Sequence, residues 1–407
     1  MKTRKHSKKP KMHIINGYKV LFVPHEKDLL HIECVIRTGF CTETKENSGI
    51  NHLLEHILVE GWKKCKTTCN SFWDNKGYFV NASTDKTTMN YYIKGLNTEW
   101  KDMTEYIATI MHHPSLTDSH LKKEKQAVID ELLTYSNTPD HKLINVFNSL
   151  FYKVDGLKYA DDWKLQIANL KKINLKDVYE VFDKYYTSQN IMFVVMGDYN
   201  ESQIKLELQK KLTGPKQGTM YPVDCYTLKH EIVFVKQNIE NTKVQIGFPY
   251  SKNYNYVHIN SCVRLLHILF FNEFRTKKSL LYDIEVYEEL NACGTTVFIE
   301  FDVQTSHAKT VIELLFKYIR YLQKTPIKDM DGFKNQEIYN YMTNKKTMMS
   351  YYTSLIYSNA PLYTLEDIIR IIRSITPAEI MKLMNELFNI DHALCVYQCK
   401  KDLHLSW

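Results

Sequence analysis

The chain has 407 residues, 44% hydrophobic and 24% charged, with a formal net charge of +7. These values exclude a disordered chain and leave room for two cores of about 200 residues each. No apolar run reaches the ~18 residues that span a bilayer, and the modest charge comes without the aromatic–basic platform of a nucleic-acid protein.

The N-terminal run MKTRKHSKKPKMHI is basic with no apolar stretch behind it, so it reads as a solvated tail rather than a signal peptide or an import signal. Nine cysteines include no C-x-x-C pair; Cys65 and Cys69 stand four apart, as do Cys395 and Cys399. Reduced thiols in a cytosol-like compartment are the expectation.

Strands are expected at 18–23 and 31–38, then a polar turn over 39–47. Ser48 reads as the N-cap of a helix running to about residue 60. Residues 77–94 read as two strands about a polar turn at 84–87. Helices follow at 97–112 and from Asp118 to about 135, stopped by Pro114 and Pro139. A helix at 174–186 feeds a strand at 191–197, and 200–212 is helical. Residues 214–225, with Gly214, Pro215, Gly218 and Pro222, read as a linker.

The order then begins again, with strands at 231–236 and 243–248, a long helix at 257–275, a strand near 297–303 and a helix at 307–323. Ile173-Asn174-Leu175-Lys176-Asp177 and Ile375-Thr376-Pro377-Ala378-Glu379 each open a helix that feeds a strand, 202 residues apart. The expected fold is α+β, a duplicated unit of mostly antiparallel sheet with helices on one side. The expected domains are 1–213 and 226–407.

Ser48 to His56 reads SGINHLLEH. His52 and His56 are four apart, so on a helix both imidazoles lie on one face and can grip one metal ion, with Glu55 beside them. This H-x-x-E-H order inverts the H-E-x-x-H zinc-protease motif. The alternative is an amphipathic helix whose histidines pack or face water. Two histidines leave zinc short of a third protein ligand. The helix LKKEKQAVIDELL offers Glu124 and Glu131, seven apart on one face, a stripe that by itself is usually solvated.

On these residues the chain resembles the M16 metallopeptidases, which include pitrilysin, insulysin and the mitochondrial processing peptidase. Their pattern places a ligand Glu about 75 residues after the motif and a helper Glu seven before it; Glu131 stands 75 after His56 and seven after Glu124. The resemblance implies one Zn²⁺ held by His52, His56 and Glu131, with Glu124 behind the ligands and Glu55 as general base. NASTDKTTMNYY, from Asn81, is similar to the family's edge strand, so the backbone of Asn81, Ala82 and Ser83 would pair with a peptide. Arg275-Thr276-Lys277-Lys278-Ser279-Leu280-Leu281-Tyr282 is similar to an insulysin stretch whose Arg and Tyr reach the substrate. Outside the resemblance, Arg275 reads as a helix C-terminal cation and Tyr282 as a buried aromatic.

The implied activity is zinc-dependent endoproteolysis of peptides or unfolded polypeptides. The alternative is a catalytically inactive M16-like subunit of a heteromeric complex. Full-length members build a chamber from four such units, so two imply a homodimer or a heterodimer with a related M16 subunit, without nucleic acid or a membrane span. His141 and Asn145 stand where presequence-processing members tend to carry acids, so arginine-directed cleavage is not implied. The cytoplasm is the expected location, with mitochondria or a virion as alternatives.

Overall fold

A computed structural model describes residues 9–136, 138, 140–214, 216–218, 224–250, 255–357 and 361–406. In chain order the elements are β1 (Lys11–Ile15), β2 (Tyr18–Pro24), β3 (Leu29–Ile36), α1 (Ile50–Val59), α2 (Cys69–Asp74), β4 (Phe79–Thr84), β5 (Met89–Leu96), α3 (Trp100–His112), α4 (Asp118–Ser136), α5 (Asp140–Phe151), α6 (Asp155–Lys158), α7 (Trp163–Leu170), α8 (Leu175–Tyr185), β6 (Ile191–Gly197) and α9 (Glu201–Lys211). The second half adds β7 (Glu231–Lys236), β8 (Asn241–Tyr250), α10 (Tyr256–Phe271), β9 (Ile284–Asn291), β10 (Gly294–Gln304), α11 (Ala308–Leu322), α12 (Asp331–Thr343), α13 (Lys345–Ser354), α14 (Leu365–Ser374), α15 (Pro377–Leu387) and β11 (Leu394–Cys399).

One sheet runs β1-β2-β6-β3-β5-β4, with β2 and β6 parallel and the other neighbours antiparallel. β6 is buried at every residue, as a central strand must be. Among the described residues β4 has a single partner, β5, and alternates exposed and half-buried residues from Phe79 to Thr84. The second sheet runs β7-β11-β8-β10-β9, with β7 and β11 parallel. Each sheet carries its own apolar core: Leu53, Leu54, Ile57, Trp73 and Tyr106 in the first, Ile246, Phe248, Leu266 and Ile299 in the second. The α+β expectation with two repeated units holds. The repeated openings do as well: Asn174 and Thr376 each cap their helix with a reciprocal capping box.

Four expectations need correction. The chain divides into compact units that are not contiguous halves: Met1–Tyr135, Asp162–Pro222 and Leu355–Thr364 form one, and Ser136–Asp161, Val223–Ser354 and Leu365–Trp407 the other. Segment 136–161 joins the second because the apolar face of α5 needs a sheet to bury it. Phe147 and Phe151 lie so close to Gly247 of β8 that a Cβ there would meet Phe147 at 2.6 Å. The 214–225 linker lies partly outside the described residues.

The tail is shorter than read. Residues 1–8 lie outside the described residues, but Lys11–Ile15 pairs with β2 through a tight turn whose Asn16 and Gly17 both have positive φ, 48° and 90°. Asn-Gly is the sequence signature of that hairpin turn.

The thiols are not all reduced. Cys65 is bonded to Cys69 and Cys225 to Cys293, while Cys34, Cys41, Cys262, Cys395 and Cys399 are buried and outside any disulfide. The second pair is 68 residues apart in sequence, so only the fold brings it together. Tyr282, finally, is not buried: it is 81% exposed. Among the described residues no helix is long and apolar enough to cross a membrane.

Candidate metal centre

α1 buries Leu53, Leu54, Ile57 and Leu58 completely, which leaves His52, Glu55 and His56 together on its other face. Its start is built differently from the Ser48 cap expected. The cap residue is Gly49, at φ 96°, a left-handed conformation that a side chain would strain. The exposed N–H groups are satisfied by Glu43, whose two carboxyl oxygens accept from Gly49 N and Asn51 N, each at 2.8 Å. The Ser48 hydroxyl joins them on Glu43. Glu43 is 4% exposed. Burial pushes its carboxyl up to about 7, against the pull of the Asn51 and Gly49 N–H groups.

The ligand-type side chains meet across α1 and α4. His52 Nε2 lies 3.5 Å from Glu131 Oε2, and His56 Nε2 lies 3.6 Å from the same oxygen. The two imidazole centroids are 5.1 Å apart. Among the described residues these three form the one group of three or more His, Cys, Asp or Glu placed to hold a metal, one atom of each within 4.8 Å of the others. Glu124 is buried behind them, and His56 Nδ1 donates to its Oε2 at 3.3 Å. That bond fixes the tautomer and leaves Nε2 with its lone pair toward Glu131 and His52, the arrangement by which a carboxylate orients a metal-binding imidazole.

The charges fit this arrangement. Burial pulls His56 down, but the Glu124 hydrogen bond and the charges of Glu55, Glu124 and Glu131 outweigh it, so its pKa is raised. Glu124 is held below the usual carboxylate range by His56 and Lys123, against the cost of burial. Glu131 is lowered first by its hydrogen bond from His52, and the hydroxyl of Tyr135, one turn on, also donates to it.

β4 borders the same face. Its last residue, Thr84, donates from Oγ1 to Glu55 Oε2 at 2.6 Å. Asn81, Ala82 and Ser83 pair with Tyr92, Tyr91 and Asn90 of β5 on one edge, and β4 is the last strand of its sheet. Its backbone is therefore the place where an added strand would pair. Asn81 and Ser83 point away from α1, with Phe79 64% exposed beside them. Sequence reading assigned Thr84 to the turn and overlooked Tyr135 and Glu43. The in–out alternation from Phe79 marks Thr84 as facing α1, and the i, i+4 spacing marks Tyr135 beside Glu131.

Arg275 and Tyr282 belong to the second unit, where the structure brings them to each other. Arg275 lies in a π-helical turn, 272–277, that prolongs α10. Its guanidinium stacks over Tyr282 at 4.8 Å and over Phe271 at 5.0 Å. Arg275 is thus near a helix C-terminus, and Tyr282 offers a largely exposed ring and hydroxyl.

A profile of the family described as Insulinase (Peptidase family M16) matches residues 21–160, and one of the Peptidase M16 inactive domain matches 172–335. The chain belongs to the M16 peptidase family. Its half-length form matches that of the uncharacterized zinc protease YmxG of Bacillus subtilis (strain 168), 24% identical over 89% of this chain and 91% of that protein. Cytochrome b-c1 complex subunit 1 of Bos taurus is 22% identical over 49% of this chain and 41% of its own. Among solved structures, a peptidase M16 inactive domain from Pseudomonas fluorescens superposes with a TM-score of 0.84, covering 97% of this chain and 98% of its own at 14% identity. That likeness concerns the fold. The boundary between the two matched profiles falls between the Glu131 helix and α8, so the metal-type residues all lie within the first.

Proposed function

We propose that this M16 chain is a zinc-dependent endopeptidase acting on peptides or unfolded polypeptides. The observation that carries the reading is the convergence of His52, His56 and Glu131 with Glu124 hydrogen-bonded behind them. Two imidazole nitrogens and one carboxylate oxygen are the donor set of a catalytic zinc site, in which a fourth position stays open. Bound there, zinc would supply Lewis-acid polarisation of a carbonyl and acidify a water.

The chain's own residues supply the rest. Glu124 orients His56, and Tyr135 holds the Glu131 carboxylate. Glu55, held by Thr84, takes a proton from the attacking water and returns it to the leaving amine. The free edge of β4 at Asn81, Ala82 and Ser83 receives the substrate as an added strand. Arg275 and Tyr282 are proposed as substrate donors. Two M16 units per chain favour a working dimer, either with itself or with a related subunit.

The test is peptide hydrolysis by the purified 407-residue chain. Activity lost on chelation and restored by one equivalent of zinc supports the reading. A zinc-loaded chain that cleaves no member of a peptide library would favour the alternative, an inactive structural subunit. The partial likeness to a cytochrome b-c1 subunit is the observation on that side.

A further inference from the structure

Set β1 aside, and the two sheets have one order: β2-β6-β3-β5-β4 in the first unit, β7-β11-β8-β10-β9 in the second. In both, the leading pair is parallel. α1 packs on the edge strand β4, and α10 packs on the edge strand β9. This matches α10 with α1 and α12 with α4. The spacings then coincide. His52 and His56, four apart, correspond to Asn260 and Arg264; Glu131 and Tyr135, four apart, correspond to Glu337 and Tyr341.

The contacts correspond as well. In the first unit His56 of α1 meets Glu131 of α4; in the second Arg264 of α10 forms an ion pair through Nε with Glu337 Oε1 of α12. Tyr341, one turn after Glu337, lies 3.4 Å through its hydroxyl from Asn260 Oδ1. Asn260 Nδ2 donates at 2.7 Å to Glu288 of β9, much as the first unit's helix is tied to its edge strand by Glu55 and Thr84. Glu337 is 1% exposed, and its Oε2 has no hydrogen-bond partner among the described residues. A carboxylate so buried needs a cation beside it.

We propose that the second unit holds a latent metal site that Arg264 keeps closed. The guanidinium occupies, as a permanent internal cation, the position at which the first unit gathers His52, His56 and Glu131. An arginine keeps its charge at any physiological pH and needs no loading. The second unit therefore takes no metal, and the chain takes one. Histidines at 260 and 264 would join Glu337 as two nitrogens and one oxygen, a donor set for a zinc-class divalent ion. The proposal rests on reading the first site as a metal site, and its test separates the two.

The 407-residue chain and its Asn260→His/Arg264→His variant are incubated with excess Zn²⁺, desalted and assayed for zinc per chain by mass spectrometry. Both are made again in a His52→Ala/His56→Ala background. One additional zinc from the histidine pair in both backgrounds is the expected result; no gain in either overturns the proposal. Loss of one zinc on His52→Ala/His56→Ala reports the first site independently. A melting comparison decides the matter if the histidine variant does not fold. Arg264→Met should lower the melting temperature by roughly 5–15 °C by stranding Glu337, and Arg264→Met/Glu337→Met should recover most of it. An Arg264→Met melting temperature equal to wild type would overturn the role given to Arg264.

Discussion

Thr84 ends the edge strand, and its hydroxyl holds the carboxylate of Glu55 on the neighbouring helix at 2.6 Å. The strand proposed to receive substrate is thereby tied to the residue proposed to move the proton. Losing the hydroxyl without changing the side chain's shape frees Glu55 to rotate, and small misplacements of a catalytic group are costly. Thr84→Val should lower kcat roughly 10–100-fold with zinc content and KM little changed, whereas Thr84→Ser should keep most of the rate. A Thr84→Val enzyme with wild-type kcat would leave Glu55 positioned by something else.

Glu124 and Tyr135 touch the ligands rather than sit among them. Removing such partners typically weakens metal binding ~10–100-fold. Glu124→Gln and Tyr135→Phe should each release zinc to a chelator at lower concentration than wild type does. Glu124→Gln should show the larger effect, because Glu124 is buried and fixes the His56 tautomer. Unchanged competition curves for both would remove them from the site.

Glu43 makes stability depend on pH. Unfolded, its carboxyl ionises near the ordinary 4.5; folded, it keeps its proton to about 7. Between those values the unfolded state binds fewer protons, so stability falls as pH rises. The contribution is full below pH 4.5 and gone above 7, at most about 3 kcal/mol. Glu43→Gln should remove this slope, seen as a smaller difference between urea midpoints at pH 5 and pH 7.5 with chelator present throughout. A wild-type slope in the variant would contradict it.

The Cys225–Cys293 bond closes a loop of 68 residues in sequence separation. Constraint of the unfolded chain over such a loop is worth about 4 kcal/mol in the chain-entropy treatment. Thiol titration of the denatured, unreduced protein should find five of the nine cysteines free. Cys225→Ser/Cys293→Ser should unfold at lower denaturant than wild type under oxidising conditions and alike under reducing ones. Nine free thiols would return the chain to the fully reduced state expected from spacing alone.

What could be read from the sequence follows the range of the interactions. The His52, Glu55 and His56 face needs only helical periodicity, and the strand alternation that makes β4 an edge is equally local. Glu131 is different: no local pattern carries it to α1, and only the family resemblance points to it. Glu43 escaped notice because it caps α1 from outside the helix, where capping patterns look only a few residues ahead. Arg264 on an apolar helix gave no hint of Glu337, 73 residues later. The membership of α5 in the second unit depends on a phenylalanine pair filling the space over Gly247, which only the folded sheet defines.

The central reading, zinc peptide hydrolysis with Glu55 as base, is tested most directly by the Glu55→Gln variant. Glutamine keeps the size and can still accept from Thr84, but it cannot take a proton. Assayed on a peptide library beside wild type at equal zinc content, Glu55→Gln should retain one zinc per chain and lose detectable turnover. Hydrolysis at the wild-type rate by zinc-loaded Glu55→Gln would contradict the account.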